Sequence, residues 1–271
     1  MKKFSSLLHN LILTPSRNTK IKLLQDYFKK LDINRSYALA ILCNQLSFQF
    51  IKASKLRELV YEKVDRQLFD FSYDYVGDLA ETISLIWTTK KDGKSQNLYT
   101  LIENIKKIKK SEINTEFSKI LSQLSNNERW TLIKICTGGL RIGVSERLVK
   151  TALADLYNKS VNEIEEIWHG LEFPYENLFQ WLKNEKSKPK IDFKKLFHPM
   201  MLANPIDEEK DFKRLNASEF QAEYKWDGIR VQLMVSSKSV SLYSRTGDNI
   251  SFAFPEIIEN TKGDAVIDGE L

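Results

Sequence analysis

The sequence predicts a multidomain α then α+β protein, in which an all-helical domain precedes the incomplete start of an α+β domain. From residue 1 to about 182, apolar residues recur at the spacing of a buried helical face, as in Ile21, Leu24 and Phe28. Beyond residue 195 the spacing changes to strand-like alternation. Residues 183–195 hold six lysines and one proline, the composition of a solvated linker. We therefore expect a helical domain over 1–182, a basic linker over 183–195 and an α+β segment over 196–271.

The composition supports folded domains and excludes several classes of protein. The chain has 271 residues, 42% of them hydrophobic, and its 41 Lys+Arg against 36 Asp+Glu give a mildly basic net charge of +5. This apolar content argues against a disordered chain. No apolar run approaches the roughly 18 residues that cross a bilayer, and the N-terminus lacks the apolar region and cleavage site of a signal peptide. We expect no membrane contact and a cytoplasmic location.

The cysteines and the turn signals fit a helical bundle. Cys43 and Cys136 lie inside apolar helical patterns, and the three histidines are scattered, so we expect reduced core thiols and no zinc site. Helix-breaking residues recur at intervals that suit the turns of a bundle. They are Thr14-Pro15, Asp32-Ile33-Asn34, Lys91-Asp92-Gly93-Lys94, Ser125-Asn126-Asn127 and Gly138-Gly139.

Strands are predicted near the end of the chain. Val231, Leu233 and Val235 alternate with more polar neighbours, and the pattern resumes at Val240 after a Ser236-Ser237-Lys238 turn. A last apparent strand, Ala265 to Leu271, ends the sequence without a visible turn or partner. Because a strand gains stability from its neighbours, we expect this sequence to be the front part of a longer protein.

The segment richest in chemistry is Glu223-Tyr224-Lys225-Trp226-Asp227-Gly228-Ile229-Arg230. Asp-Gly is a tight-turn dipeptide, so we expect a hairpin that brings Lys225 and Arg230 together from adjoining strands. A neighbouring cation and partial desolvation favour the neutral, nucleophilic form of a lysine. The guanidinium can also bind phosphate oxygens in a fork. Taken alone, the segment is equally compatible with an ordinary hairpin flanked by solvated basic residues.

Two further segments favour phosphate chemistry. Ser244-Arg245-Thr246-Gly247 offers an arginine beside a turn glycine, and Asp268-Gly269-Glu270 offers carboxylates suited to a ribose hydroxyl or a divalent metal. In this order and spacing, the three segments resemble motifs I, Ia and III of the covalent nucleotidyltransferases, which are DNA ligases, RNA ligases and capping enzymes. The string around Lys225 resembles that of ATP-dependent DNA ligases.

The resemblance implies a role for each motif residue. Lys225 would attack the α-phosphate of ATP and carry AMP as a phosphoramidate. Glu223 would recognise the adenine, and Arg230 and Arg245 would hold the ribose and the phosphates. Glu270 would bind the ribose or its metal, and Mg²⁺ would bridge the phosphates and offset developing charge.

The string that runs from Arg129-Trp130 through Thr137 to Lys150 resembles the helical DNA-binding domain of these ligases. Thr14-Pro15-Ser16-Arg17-Asn18 and Tyr75 to Thr82 resemble their bacterial branch. A glycine-rich turn followed by a serine N-cap lets main-chain amides approach a duplex phosphate. The residues that this assigns to DNA binding are Gly138, Gly139, Arg141, Gly143, Ser145 and Arg147.

Two alternatives apply to the same string. A helix-helix turn with a glycine C-cap and a serine N-cap explains it without any DNA. Gly138 and Gly143 also have the spacing of a P-loop, but Val144 stands where a P-loop needs lysine, so ATP binding there is rejected.

The predicted function is that of an ATP-dependent DNA ligase that seals nicks in duplex DNA through lysyl-AMP, as a monomer, in repair, replication and recombination. The motifs that follow motif III and the OB-fold domain have no counterpart in the sequence. We therefore expect the chain alone neither to seal nicks nor to adenylate itself efficiently. The alternatives are a non-catalytic DNA-binding remnant with an incomplete nucleotide pocket, and an RNA ligase or capping enzyme that prefers RNA ends or GTP.

Overall fold

The computed structural model describes residues 1–30, 34–46, 50–88, 96–138, 140–191, 197–198, 200–201, 203–221, 223–236, 239–245 and 247–271. These residues divide into two compact units, one of Met1–Val161 with Glu172–Glu185 and one of Asn162–Leu171 with Lys186–Leu271. The domain bounds drawn from the sequence at 182 and 196 stay a prediction. No helix within the described residues has the length and apolar character that a membrane span requires.

The first unit is helical, which confirms the predicted class of this region. Its helices are α1 (Lys2–Leu13), α2 (Arg17–Phe28), α3 (Asn34–Leu42), α4 (Ala53–Tyr61), α5 (Arg66–Val76), α6 (Leu79–Ile86), α7 (Leu98–Lys106), α8 (Ile113–Gln123), α9 (Asn126–Thr137), α10 (Glu146–Leu156) and α12 (Glu176–Leu182). Helix α11 (Val161–Trp168) lies between α10 and α12 in the sequence, and from Asn162 onward it belongs to the second unit. Cys43 and Cys136 are buried and free, as predicted, and burial raises the pKa of both thiols.

Local signals in the sequence set several helix ends. The Ser16 hydroxyl accepts a hydrogen bond from the Thr19 amide and begins α2. Gly138 ends α9 in the left-handed conformation, with φ of 70°. The predicted break at Ser125 separates α8 from α9, and Ser125 and Glu128 form a capping box that begins α9. The predicted breakers at 32–33 and 91–94 lie outside the described residues.

The second unit contains a three-stranded antiparallel sheet in the order β2-β1-β3. Its strands are β1 (Arg230–Ser236), β2 (Ser239–Ser244) and β3 (Ala265–Glu270). Two short helices belong to the same part of the chain: α13 (Glu208–Asp211) precedes β1, and α14 (Pro255–Asn260) lies between β2 and β3. Leu233 lies opposite Leu242 on one side and Ile267 on the other. The final strand therefore has a partner in β1, and the expectation that it lacks one was wrong.

Burial differs sharply across this sheet. The central strand buries Val231, Met234 and Val235, whereas every residue of β3 is exposed. Gln232 is buried as well, and two hydrogen bonds to the main chain of His198 satisfy its side-chain amide. The amide oxygen accepts from the His198 N–H at 2.6 Å, and the amide nitrogen donates to the His198 carbonyl at 3.0 Å. This contact fastens the segment at 197–198 to β1.

Candidate nucleic-acid and nucleotide sites

A groove of about 550 Å³ lies in the first unit, where the turn after α9 meets the start of α2. We call it the basic groove. Its described lining includes three cations and no carboxylate, so it favours an anion. The lining residues are Pro15, Arg17, Lys20, Leu140, Arg141, Ile142, Gly143, Val144, Ser145 and Leu148.

Two helices begin at the basic groove. Arg17 opens α2, and Ser145 is the N-cap of α10, where its hydroxyl accepts a hydrogen bond from the Leu148 amide at 3.2 Å. The first amides of a helix have no acceptor within it, and its N-terminus carries a partial positive charge. Both helix starts therefore reach the same groove, where main-chain donors and side-chain cations lie close together, an arrangement that favours an anion.

The turn between α9 and α10 is held at two points. Ile142 is buried and anchors the turn in the core. Lys20 reaches over from α2, and its ammonium donates a hydrogen bond to the Gly143 carbonyl at 2.8 Å. Gly143 has φ of +64°, a left-handed conformation that suits glycine.

The structure brings only some of the sequence-predicted DNA-binding residues into this groove. Arg141, Gly143 and Ser145 line it. Gly138 and Arg147 are exposed but do not belong to its lining, and Gly139 lies outside the described residues.

Sequence reasoning missed two residues of the groove, Arg17 and Lys20. The signal was available, since Thr14 to Asn18 is one of the strings that resemble the ligases. The string did not indicate that this part of the chain contacts the turn after α9, because the contact joins Lys20 to Gly143, 123 positions away.

In the second unit, Lys225 lies exposed in a segment that forms no strand. The predicted hairpin at Asp-Gly was wrong. The chain runs on from Gly228 into β1, because Ile229 and Leu271 exchange main-chain hydrogen bonds of 2.9 Å and 3.0 Å. Among the described strands, β1 and β2 form an antiparallel pair whose register ends at Ser236 and Ser239, and the predicted turn residues Ser237 and Lys238 lie outside the described residues.

Arg230 pairs with Asp268 rather than lying beside Lys225 as a free cation. Its Nε and Nη2 donate to the two carboxylate oxygens at 3.0 Å and 2.8 Å, a fork between diagonal neighbours on β1 and β3. The hydrogen bonds from Arg230 lower the pKa of Asp268 below its usual value, and those to Asp268 raise the pKa of Arg230. Three of the five guanidinium N–H groups remain available to a ligand.

Glu270 lies at the end of β3, where one carboxylate oxygen accepts a hydrogen bond from the Gly228 amide at 3.1 Å. The described residues contain no group of three or more side chains that could hold a metal by themselves. Magnesium takes one or two carboxylates together with substrate phosphates, and exposed Glu270 offers one carboxylate of this kind. Glu223 is exposed and has no described contact that fixes it.

The turn after β2 carries Arg245, which is exposed. Gly247 closes this turn with φ of +88°, and a Cβ there would lie 2.8 Å from His169 and 2.9 Å from Phe197. The rings of His169 and Phe197 pack edge to face. Aromatic packing against a glycine thus fixes the turn that presents Arg245.

Comparison with known proteins places the chain among the DNA ligases. Residues 1–154 match the family model described as DNA ligase N terminus, and residues 200–271 match that described as ATP dependent DNA ligase domain. The chain belongs to the ATP-dependent DNA ligase family. This assignment favours a DNA ligase over an RNA ligase or a capping enzyme.

Three relatives show the extent of the similarity. The DNA ligase of Nitrosopumilus maritimus is 32% identical over 68% of this chain and 34% of its own length. The probable DNA ligase of Koribacter versatilis is 32% identical over 56% of this chain and 27% of its own. DNA ligase 1 of Korarchaeum cryptofilum is 25% identical over all of this chain and 53% of its own. The chain thus spans between about a quarter and half of these relatives, and its origin in the bacterial branch stays a prediction.

Proposed function

We propose that this chain is the DNA-binding and AMP-accepting part of an ATP-dependent DNA ligase that seals nicks in duplex DNA. The basic groove is the observation that carries the proposal. Three cations, two helix starts and a glycine-rich turn converge there, and its described lining has no carboxylate. Such a set of donors matches one backbone phosphate with its flanking charge.

The groove suits a sequence-independent grip on DNA. Its donors are main-chain amides and cationic side chains, which bind phosphates and fix the position of a protein on the duplex. A ligase has to accept a nick in any sequence, so contacts that ignore the bases fit its task. Binding of this kind depends strongly on salt, because each neutralised phosphate releases counterions.

The proposed chemistry of the second unit centres on Lys225. Its neutral amine attacks the α-phosphorus of ATP, so that a P–N bond forms, the bond to pyrophosphate breaks and the amine proton passes to solvent. The unused N–H groups of Arg230 and the side chain of Arg245 would hold the phosphates, while Asp268 orients Arg230. Glu223 would recognise adenine, and Glu270 would bind the ribose or Mg²⁺, which offsets developing charge when bound.

The complete ligase would then transfer AMP to the 5′-phosphate at the nick, and the 3′-hydroxyl would displace AMP as the strand is joined. These two steps belong to the whole protein, since the chain spans only part of its relatives. A monomeric state, a cytoplasmic location and roles in repair, replication and recombination belong to the same proposal.

Salt-dependent binding of the 271-residue chain to a nicked duplex tests the groove. Arg17→Met and Arg141→Met should each weaken binding. Each should also make the slope of log K against log [salt] less negative by about 0.9. Lys22→Met is the matched control, because Lys22 is exposed on α2 but does not line the groove. A wild-type chain that does not bind at low salt, or arginine variants with unchanged slopes, would overturn the proposal.

A second candidate, a DNA-binding remnant without catalysis, is favoured by three observations. Lys225 is exposed, Arg230 is already paired with Asp268, and β3 is exposed throughout. Incubation with α-labelled ATP and Mg²⁺ separates the candidates. An acid-stable adduct on the wild type that is lost in Lys225→Ala excludes the remnant, whereas DNA binding without any adduct supports it.

A further inference from the structure

We propose that Lys20 is a positioning residue of the basic groove: its ammonium holds the Gly143 carbonyl and thereby fixes the turn at 140–145, while other groups bind the phosphate. The inference deepens the proposed DNA binding and rests on it. It separates Lys20 from Arg17 and Arg141, the other two cations of the groove.

The Lys20 contact is the main polar tether of this turn. Among the described residues, the main chain of 140–144 makes no other hydrogen bond than the one from Lys20 to Gly143. The second tether is apolar and lies at buried Ile142. Because neither a helix nor a sheet ladder fixes the amides of the described turn residues, the conformation of the turn depends on these two contacts.

The packing around Lys20 suits this role. Lys20 is half-buried, and the α2 residues Ile21 and Leu24 are buried where α2 packs against α10. This packing fixes the base of the lysine and leaves its chain to span the gap to the turn. An added Cβ on Gly143 would lie 2.9 Å from the Lys20 ammonium, so the ammonium is in direct contact with the turn.

Loss of the ammonium should release the turn without removing a phosphate contact. The Gly143 carbonyl would lose its partner, and the amides of the turn would have to be ordered when DNA binds. A hydrogen bond to a charged group typically contributes enough to change affinity about tenfold. We therefore expect Lys20→Met to weaken binding to a nicked duplex about tenfold at every salt concentration, with the slope unchanged.

The salt series distinguishes positioning from direct contact. Arg17→Met should make the slope of log K against log [salt] less negative by about 0.9, whereas Lys20→Met should leave it at the wild-type value. Lys20→Arg keeps a donor at the same place and should restore most of the affinity, and Lys22→Met should match the wild type. A slope that is less negative by about 0.9 in Lys20→Met would overturn the inference, because Lys20 would then neutralise a phosphate itself.

Nitrogen-15 relaxation of the DNA-free chain tests the tether independently, because order parameters report the fast motion of each amide whether or not it is hydrogen-bonded. In Lys20→Met the order parameters at 140–145 should fall, while those inside α2 and α10 keep their wild-type values. Unchanged order parameters at 140–145, or lower ones throughout the first unit, would overturn the inference. Should the wild type fail to bind DNA, the proposed function fails, but the relaxation result still decides whether Lys20 holds the turn.

Discussion

Arg129 is the largest fully buried side chain of the first unit, and we predict that replacing it with methionine strongly destabilises that unit. Its guanidinium donates to four main-chain carbonyls, those of Ser84, Trp87, Leu121 and Leu124, at 2.8–3.1 Å. These carbonyls lie at the C-terminal ends of α6 and α8, where a helix leaves its last carbonyls without partners. One side chain thus caps two helices.

The expected loss can be worked from these four bonds. Each buried carbonyl left without a donor costs about 1–3 kcal/mol. Part of that cost is offset, because methionine needs no desolvation whereas a buried charge does. Burial lowers the pKa of Arg129 to about 10, so the guanidinium stays charged at neutral pH. Three of the four carbonyls would lose their described donor, because the Leu121 carbonyl also accepts from the Leu124 amide. At about 1–3 kcal/mol each, less the desolvation offset, we expect Arg129→Met to lower the free energy of unfolding by about 4 kcal/mol.

Thermal unfolding followed by circular dichroism measures this loss. A unit of this size loses about 2–4 °C in Tm per kcal/mol, so Tm should fall by about 8–16 °C. Lys119→Met is the control, because Lys119 is exposed on α8, where it pairs with Glu116, and its effect should stay within about 0.5 kcal/mol. A loss of less than about 1 kcal/mol for Arg129→Met would refute the capping role.

Two further predictions concern the second unit. Gly228→Ala should destabilise this unit by about 1–3 kcal/mol in urea unfolding, because an added Cβ would lie 2.1 Å from the Leu271 carbonyl oxygen. Gly269→Ala is the control and should be milder, because its Cβ would meet nothing within 4 Å. Equal losses of stability in the two variants would contradict the steric argument. Since Arg230 lowers the pKa of Asp268, the pair stabilises the folded state above about pH 4, the ordinary range of an aspartate, and its contribution is lost as pH falls through the lowered value. The urea midpoint should therefore fall less between pH 6 and pH 3 in Asp268→Asn than in the wild type. The difference should be small, because the pair is partly exposed. An identical fall in both proteins would show that the Arg230–Asp268 pair does not stabilise the folded state.

The features that the sequence predicted well are local. Helical periodicity over the first 182 residues and the β1–β2 alternation need only neighbours along the chain. The same holds for the cap at Ser145 and the left-handed glycine at 138. The catalytic role of Lys225 rests on the family resemblance and stays a prediction.

The features that it missed join distant residues. Arg230 and Asp268 are 38 positions apart, and Lys20 and Gly143 are 123 apart. Neither pairing can be read from spacing without the fold. The Asp-Gly signal before Arg230 failed for a related reason, since turn propensity is a weak local preference and strand pairing with β3 overrode it.

A crystal structure of the 271-residue chain bound to a nicked duplex would show whether the basic groove binds the DNA backbone. We predict a backbone phosphate in the groove, within hydrogen-bond distance of the Arg141 guanidinium and of main-chain amides at the start of α10, with Lys20 still on the Gly143 carbonyl. A duplex bound on another face, with the groove open to solvent, would contradict it.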